Sequence, residues 1–268
     1  MSQQGIEQQG ALVVKLGGSA ASFDDAMRAF AGELRRVHER AVVVHGGGKE
    51  VSALSERLGI TPVFEDGVRM TGDEEMDVVE MVLAGTANKR LVRTFLAAGV
   101  AAVGIAGSDG GTVTGTPVAD RDGHPSRTAR VSAVDPRLIR ALWRDGYVPV
   151  VSPTSSTTEW SAVNINADDV AFALAGALRA DALLFLSDVP GILVDGRPLG
   201  TITARDAVEL IAARVITGGM IPKVHNALTA IDSGVSSVVI GNYSKPGDLS
   251  RLLDGSAGTT IRARGGAT

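Results

Sequence analysis

Lysine is scarce in this chain. Five of its 26 basic residues are lysines, Lys15, Lys49, Lys89, Lys223 and Lys245, and the rest are arginines. Where an ammonium is kept against that background, it marks a place suited to a compact point charge rather than a broad guanidinium fork. Lys15 interrupts the apolar run Leu12-Val13-Val14-Lys15-Leu16, where its charge is costly to bury without an anion nearby. Lys223 follows Thr217-Gly218-Gly219-Met220-Ile221-Pro222, where a loop turns into a helix. Either lysine is equally compatible with a stem that snorkels to solvent. Two glycine clusters, Gly17-Gly18-Ser19 and Gly46-Gly47-Gly48, each follow a β-branched run directly. Glycine there lets backbone N–H groups close on an anion, and a following helix N-terminus adds partial positive charge. The same clusters also serve as tight turns that seat a helix on a sheet. Together, after neighbouring strands, they would form one phosphate-handling cleft. Asn164-Ile165-Asn166-Ala167-Asp168-Asp169 opens a helix, and its polar groups are either ordinary caps or partners for the lysines. Arg69, after the Gly67 turn, is either a solvated edge residue or a fork for a carboxylate.

The elements that must carry these residues alternate in type. Strands are expected at Ala11–Leu16, Ala41–His45, Val100–Ile105, Val148–Ser152, Ala182–Ser187 and Ser237–Ile240. Helical periodicity covers Asp24–His38, with Ser22 or Asp24 as cap, and then about Gly48–Leu58. It continues at Asp73–Ala98, in one piece or two, and at Pro136–Arg144, Asp168–Leu178, Ala204–Ala213 and Met220–Ser233. Thr61–Arg69 is expected as an extended or hairpin segment, Gly191–Leu199 as a hairpin, and Gly107–Arg130 as hairpins at the surface. Such alternation predicts an α/β fold, a mostly parallel sheet with helices on both faces. Its ligands would bind beyond the carboxyl ends of the strands. A soft boundary falls near 178–181.

Composition narrows the chemistry. There are no cysteines, which removes disulfides, thiol nucleophiles and Cys-ligated metals. The four histidines, at 38, 45, 124 and 225, are scattered without metal-ligand spacing. A net charge of −4 argues against nucleic acid and against a basic membrane surface as partners. The longest apolar stretch, Phe95–Gly107, falls short of the ~20 residues that span a bilayer. The first ten residues lack a signal pattern, so a cytoplasmic protein is expected. No P-loop, no GxGxxG at the first crossover and no protein-kinase HRD or DFG motif is present.

Seven segments in order resemble the amino-acid kinase family. They are Val14-Lys15-Leu16-Gly17-Gly18, Val44-His45-Gly46-Gly47-Gly48, Gly67-Val68-Arg69-Met70-Thr71, Leu83-Ala84-Gly85-Thr86-Ala87-Asn88-Lys89, Asn164-Ile165-Asn166-Ala167-Asp168, Leu186-Ser187-Asp188-Val189-Pro190-Gly191-Ile192-Leu193 and Gly218-Gly219-Met220-Ile221-Pro222-Lys223. The resemblance runs from about 11 to 262. It implies a three-layer αβα sandwich around a mostly parallel central sheet. Residues 1–178 would form the lobe for the acid substrate and for pairing of subunits, and 179–268 the lobe for ATP. The version of the motifs implies transfer of the ATP γ-phosphoryl to the side-chain carboxylate of N-acetyl-L-glutamate, a step of arginine biosynthesis. Lys15 and Lys223 would stabilise the transferring phosphoryl, and Asp168 would orient both. Gly47, Gly48, Arg69 and Asn164 would hold the acid. Gly17 and Gly18, with the Gly47 backbone, would donate to phosphates, while Asp188, Val189, Pro190, Gly191, Ile192, Leu193, Val215, Ile216 and Thr217 would line the nucleotide pocket. Mg²⁺ would be held mainly by ATP, with no protein ligand assigned.

The same resemblance implies a homodimer paired around Asp73–Ala87. Arginine-inhibited relatives carry an extra N-terminal helix, and the short glycine-containing lead here implies insensitivity to arginine. Two alternatives share features with this reading. One is a kinase of carrier-linked aminoadipate, expected to alter the glycine loop after the second strand. The other is a catalytically silent binding regulator, expected to lack Lys15, Asp168 or Lys223; all three are present.

Overall fold

The computed structural model describes residues 10–17, 24–194 and 196–263. Gly18, the Ser22 or Asp24 cap and the N-terminal lead lie outside the described residues or side chains. In chain order the first half comprises β1 (Leu12–Leu16), α1 (Asp24–Val37), β2 (Ala41–His45), α2 (Gly48–Arg57), β3 (Phe64–Glu65) and β4 (Val68–Arg69). It continues with α3 (Asp73–Glu80), α4 (Asn88–Ala97), β5 (Ala102–Ala106), β6 (Val113–Ala119), β7 (Pro125–Val134) and α5 (Arg137–Arg144). Then come β8 (Val148–Ser152), β9 (Thr154–Ser156), β10 (Ala162–Ile165) and α6 (Ala167–Leu178). The remainder is β11 (Ala182–Leu186), β12 (Leu193–Val194), β13 (Arg197–Pro198), β14 (Thr201–Thr203), α7 (Ala204–Ala212), α8 (Met220–Asp232), β15 (Ser237–Gly241), α9 (Asp248–Asp254) and β16 (Thr259–Arg262).

Eight strands form the central sheet in the order β14-β16-β15-β11-β1-β2-β8-β5. All its pairings are parallel except β15 with β16. Strand β1 is central, with β2, β8 and β5 on one side and the strands of the second half on the other. Strand side chains alternate between faces, and the core shows it. Val13, Val42 and Val44 join one apolar layer with residues of α5, α6 and α8. Leu12, Val14, Leu16, Ala41 and Val43 join the opposite layer with residues of α1, α4 and α9. Helices therefore cover both faces, as parallel strands require. By the same alternation Lys15 shares the face of Val13, the face covered by α6.

The segment 107–130 does fold back on itself, β6 pairing antiparallel with β7, but this hairpin is one part of a closed barrel. Strands β6, β7, β9 and β10 close into a small four-stranded barrel. Its short strands β9 and β10 come from residues 154–165, which show no strand pattern of their own; pairing across some forty residues makes them strands. The long helix expected at Asp73–Ala98 is continuous but widens into a π-helical stretch at Met81–Ala87 between α3 and α4. Strands β14 and β16 and helix α9 also lay outside the sequence expectation, and β16 supplies the antiparallel pairing.

Candidate active site

Strands β1 and β2 are neighbours in parallel register, Leu16 opposite His45, so Gly17 and Gly46–Gly48 emerge side by side at one sheet edge. They open a cleft of about 450 Å³ whose lining includes Lys15, Gly17, Gly46, Gly47, Gly48, Arg69 and Asn164. Lys15 Nζ lies 2.7 Å from Asp168 Oδ1, with the two side chains 15% and 21% exposed. A Cβ on Gly17 would stand 2.6 Å from that Nζ, so glycine lets the ammonium bend over the loop. Asn166, not Asp168, caps α6: its side chain accepts the Asp168 N–H at 2.9 Å. The Asp168 carboxylate is thereby left for Lys15. Next to it, burial and the Asp168 charge push the Asp169 carboxyl above its ordinary range.

Arg69 is 9% exposed and already engaged. Its Nη1 donates to Glu75 Oε1, while its Nη2 donates to Gly48 O at 3.0 Å and Ser52 Oγ at 2.6 Å. Its guanidinium lies over the Phe64 ring, 4.7 Å from the centroid. Either edge of a guanidinium that can grip a carboxylate with two parallel bonds includes Nη2, so such a grip requires Nη2 to exchange a present partner. Glu75 also accepts from Ser55 Oγ at 3.2 Å. Asn164 Nδ2 donates to Thr71 Oγ1 at 2.9 Å, which ties the Arg69 segment to β10.

Lys223 is half-buried in the first turn of α8 and makes no hydrogen bond or ion pair among the described residues. Helices α6 and α8 pack side by side, and each leads into a parallel strand of the sheet. Their N-termini, with Asp168 and Lys223, therefore face the same edge as the glycine loops. The segments expected to line a nucleotide pocket lie beyond β11 and before α8. Asp188, Pro190, Leu193, Val215 and Thr217 are exposed and Val189 is half-buried, whereas Ile192 and Ile216 are packed into the core. Gly191 approaches Thr259 closely: a Cβ there would lie 2.8 Å from Thr259 Oγ1. Among the described residues, one cluster has metal-ligating groups within 4.8 Å of one another, Asp120, Asp122 and His124. It sits at the β6–β7 turn, which Asp120 closes by accepting the N–H groups of Asp122 and His124.

The pattern of the amino acid kinase family matches residues 10–242. The chain belongs to the amino acid kinase family. Among its relatives in the family is the acetylglutamate kinase of Chloroflexus aurantiacus, 42% identical over 87% of this chain and 92% of that one. The acetylglutamate kinase of Geobacillus thermodenitrificans is 39% identical over 96% of this chain and 98% of that one. Of the solved structures, smu.665 from Streptococcus mutans superimposes with a TM-score of 0.75 at 28% identity, covering 95% and 99% of the two chains. The three-layer architecture is thus the α/β fold of this family.

Two features of this family member escaped the sequence reading. Glu75 was not singled out because a carboxylate in the first turn of a helix is commonplace; its pairing with Arg69 is tertiary. His45 is fully buried at the end of β2, where burial pushes its imidazole down to about 4. The signal for His45 was the Val-Val-Val-His-Gly run itself, a titratable residue inside a fully apolar strand. Within the described residues no helix is long and apolar enough to cross a membrane.

Proposed function

We propose that this chain transfers the γ-phosphoryl group of ATP to the side-chain carboxylate of N-acetyl-L-glutamate, giving an acyl phosphate and ADP in arginine biosynthesis. The observation that carries the reading is the Lys15–Asp168 pair, 2.7 Å apart where the two glycine loops open the cleft. Its support from relatives is that acetylglutamate kinases match at 37–42% identity over most of the chain.

The acceptor carboxylate, with an ordinary pKa of ~4.3, is already ionised at neutral pH and needs no general base. The barrier is the approach of one anion to another, and phosphoryl transfer is mainly positioning and charge stabilisation. In this reading Lys15 and Lys223 supply the positive charge, and Asp168 holds Lys15 in place. Gly17 and Gly18 donate to phosphate oxygens. Gly47, Gly48, Arg69 and Asn164 hold the acid, and Arg69 exchanges a present Nη2 bond for the α-carboxylate. The exposed members of 188–193 and 215–217 line the nucleotide pocket. Mg²⁺ suits phosphate oxygens and water as ligands. Of the carboxylates described at the cleft, Glu50 is paired with Arg90 at 2.6 Å and Asp168 with Lys15, so the ion would be held mainly by ATP, where it neutralises phosphate charge.

Residues 1–178 serve the acid and the pairing of subunits, and 179–268 serve ATP, within the cytoplasm where ATP is supplied. Subunits pair around Asp73–Ala87, where Met81 is exposed. Trapping of the acyl phosphate with hydroxylamine, in the presence of ATP, tests the activity. Signal with N-acetyl-L-glutamate and little with glutamate or aspartate is expected; signal with none of them overturns the proposal. Sedimentation as a monomer would remove the pairing.

A further inference from the structure

The motif Leu83-Ala84-Gly85-Thr86-Ala87-Asn88-Lys89 has no role in the proposed chemistry, yet it carries a buried amide, Asn88, that meets His45, the residue just before the glycine loop. The π-helical stretch Met81–Ala87 adds residues to its turns and so rotates the start of α4 about the helix axis. Asn88, the first residue of α4, faces the sheet and is fully buried. Gly104 on β5 admits it, since a Cβ at Gly104 would lie 1.9 Å from Asn88 Oδ1.

The partners of Asn88 leave one arrangement of protons. Its Nδ2 lies 2.9 Å from Val150 O, which can only accept, and its Oδ1 lies 3.1 Å from Lys89 Nζ, which can only donate. The second N–H of Nδ2 then points at His45 Nε2, 3.1 Å away, so that nitrogen is an acceptor. The ring proton of a neutral imidazole must therefore sit on Nδ1, which donates to Gly46 O at 2.8 Å. In a trans peptide the carbonyl and the following N–H point in opposite directions, and no peptide bond among the described residues is cis. With the Gly46 carbonyl turned in toward the His45 ring, the Gly47 N–H is turned out. Neither Gly47 N–H nor Gly48 N–H has a partner among the described residues.

We infer that His45 and Asn88 are positioning residues, which together lock the Gly46–Gly47 peptide so that the Gly47 N–H faces an anionic oxygen of the bound reactants. This rests on the phosphoryl-transfer reading of the cleft. It adds to that reading a relay from Lys89 through Asn88 and His45 to the glycine loop. A donor held in place before the reactants arrive needs no reorganisation during the reaction, which is where such donors gain their effect.

The test is a pair of substitutions with opposite reach, plus a direct measurement on the unmodified protein. In His45→Asn the amide Nδ2 takes the place of ring Nδ1 and still donates to Gly46 O. In His45→Gln the amide reaches the place of Nε2, keeps Asn88 satisfied and leaves Gly46 O without its donor. The expected result is that His45→Gln lowers kcat/KM for the acid about 10- to 100-fold, while His45→Asn stays within about fivefold of the parent. A role limited to filling the core gives the reverse order, because asparagine leaves the larger void. That result, or equal losses that track thermal stability, overturns the inference. Side-chain ¹⁵N NMR of the parent protein at pH 7 is expected to show His45 protonated on Nδ1 alone; protonation on Nε2 overturns the inference even if neither variant folds. If the parent protein makes no acyl phosphate, the functional reading fails, and the ¹⁵N measurement still decides the relay.

Discussion

Replacing Lys15 by methionine removes one unit charge and almost no volume. The ammonium sits 2.7 Å from Asp168 at the mouth of the cleft, and in the proposed reaction it comes within about 4 Å of the phosphoryl in transit. A unit pair at ~4 Å is worth about 4 kcal/mol at an effective dielectric of about 20. Each ~1.4 kcal/mol is a factor of ten in rate, which sets a ceiling near 10³. At 15% exposure the lysine is partly screened by water, so a fall in kcat of about 10²–10³ is expected. The fold should survive. Asp168 loses its partner, but it is 21% exposed and keeps some hydration, which holds the stability cost to about 1–2 kcal/mol. The assay is ADP release at saturating ATP and N-acetyl-L-glutamate, with a urea melt alongside. The companion Asp168→Asn retains the charge and loosens its aim, so a smaller loss of about tenfold is expected. A kcat for Lys15→Met within fivefold of the parent, with the melt unchanged, would refute the reasoning that Lys15 stabilises the reacting charge.

Lys223→Ala should lower kcat about 10²–10³ by the same logic of a lost charge donor, measured in the same assay; near-normal kcat removes it from the mechanism. Glu75→Ala leaves the buried Arg69 guanidinium without its carboxylate and is expected to cost about 3–5 kcal/mol in a urea melt, whereas an unchanged midpoint would mean that Arg69 re-pairs elsewhere. Gly104→Ala places a methyl 1.9 Å from Asn88 Oδ1, so it should lower both thermal stability and kcat/KM, and a neutral result would show that α4 can shift at no cost. The burial of His45 predicts a pH dependence of stability. Its folded value of about 4 lies below its ordinary 6.5, so between those values the unfolded chain binds a proton that the folded one refuses. Stability from this group is fully present above pH 6.5 and is lost as pH falls toward 4, by about 3 kcal/mol in all. Urea midpoints across pH 4–7.5 should carry this slope in the parent and lose it in His45→Asn.

The sheet was legible where local pattern and fold agree. The runs at Leu12–Leu16 and Ala41–His45 are apolar on both faces, the mark of buried parallel strands, and the glycines after them announce the loops that flank the cleft. The hairpin at Glu65-Asp66-Gly67 was readable too, since Asp66 and Gly67 take the positive φ values a tight reversal demands. The small barrel was not. Thr154–Ser156 and Ala162–Ile165 become strands only because β6 and β7 arrive beside them, and no local signal encodes a partner that distant.

Which groups are available was legible in the chain before any folding: two isolated lysines, an aspartate near a helix start, glycines where anions approach backbone, and the motif order of the family. These are statements about residue type and short spacing, which a chain carries whether folded or not. How the groups are partnered was settled by folding alone. Asn166 takes the cap and leaves Asp168 to Lys15, Glu75 claims Arg69, and the Asn88 amide stands against Nε2 of His45. The pairings of Asp168 and of His45 join side chains remote in sequence. Burial removes water as an alternative partner, so the few groups within reach must satisfy one another.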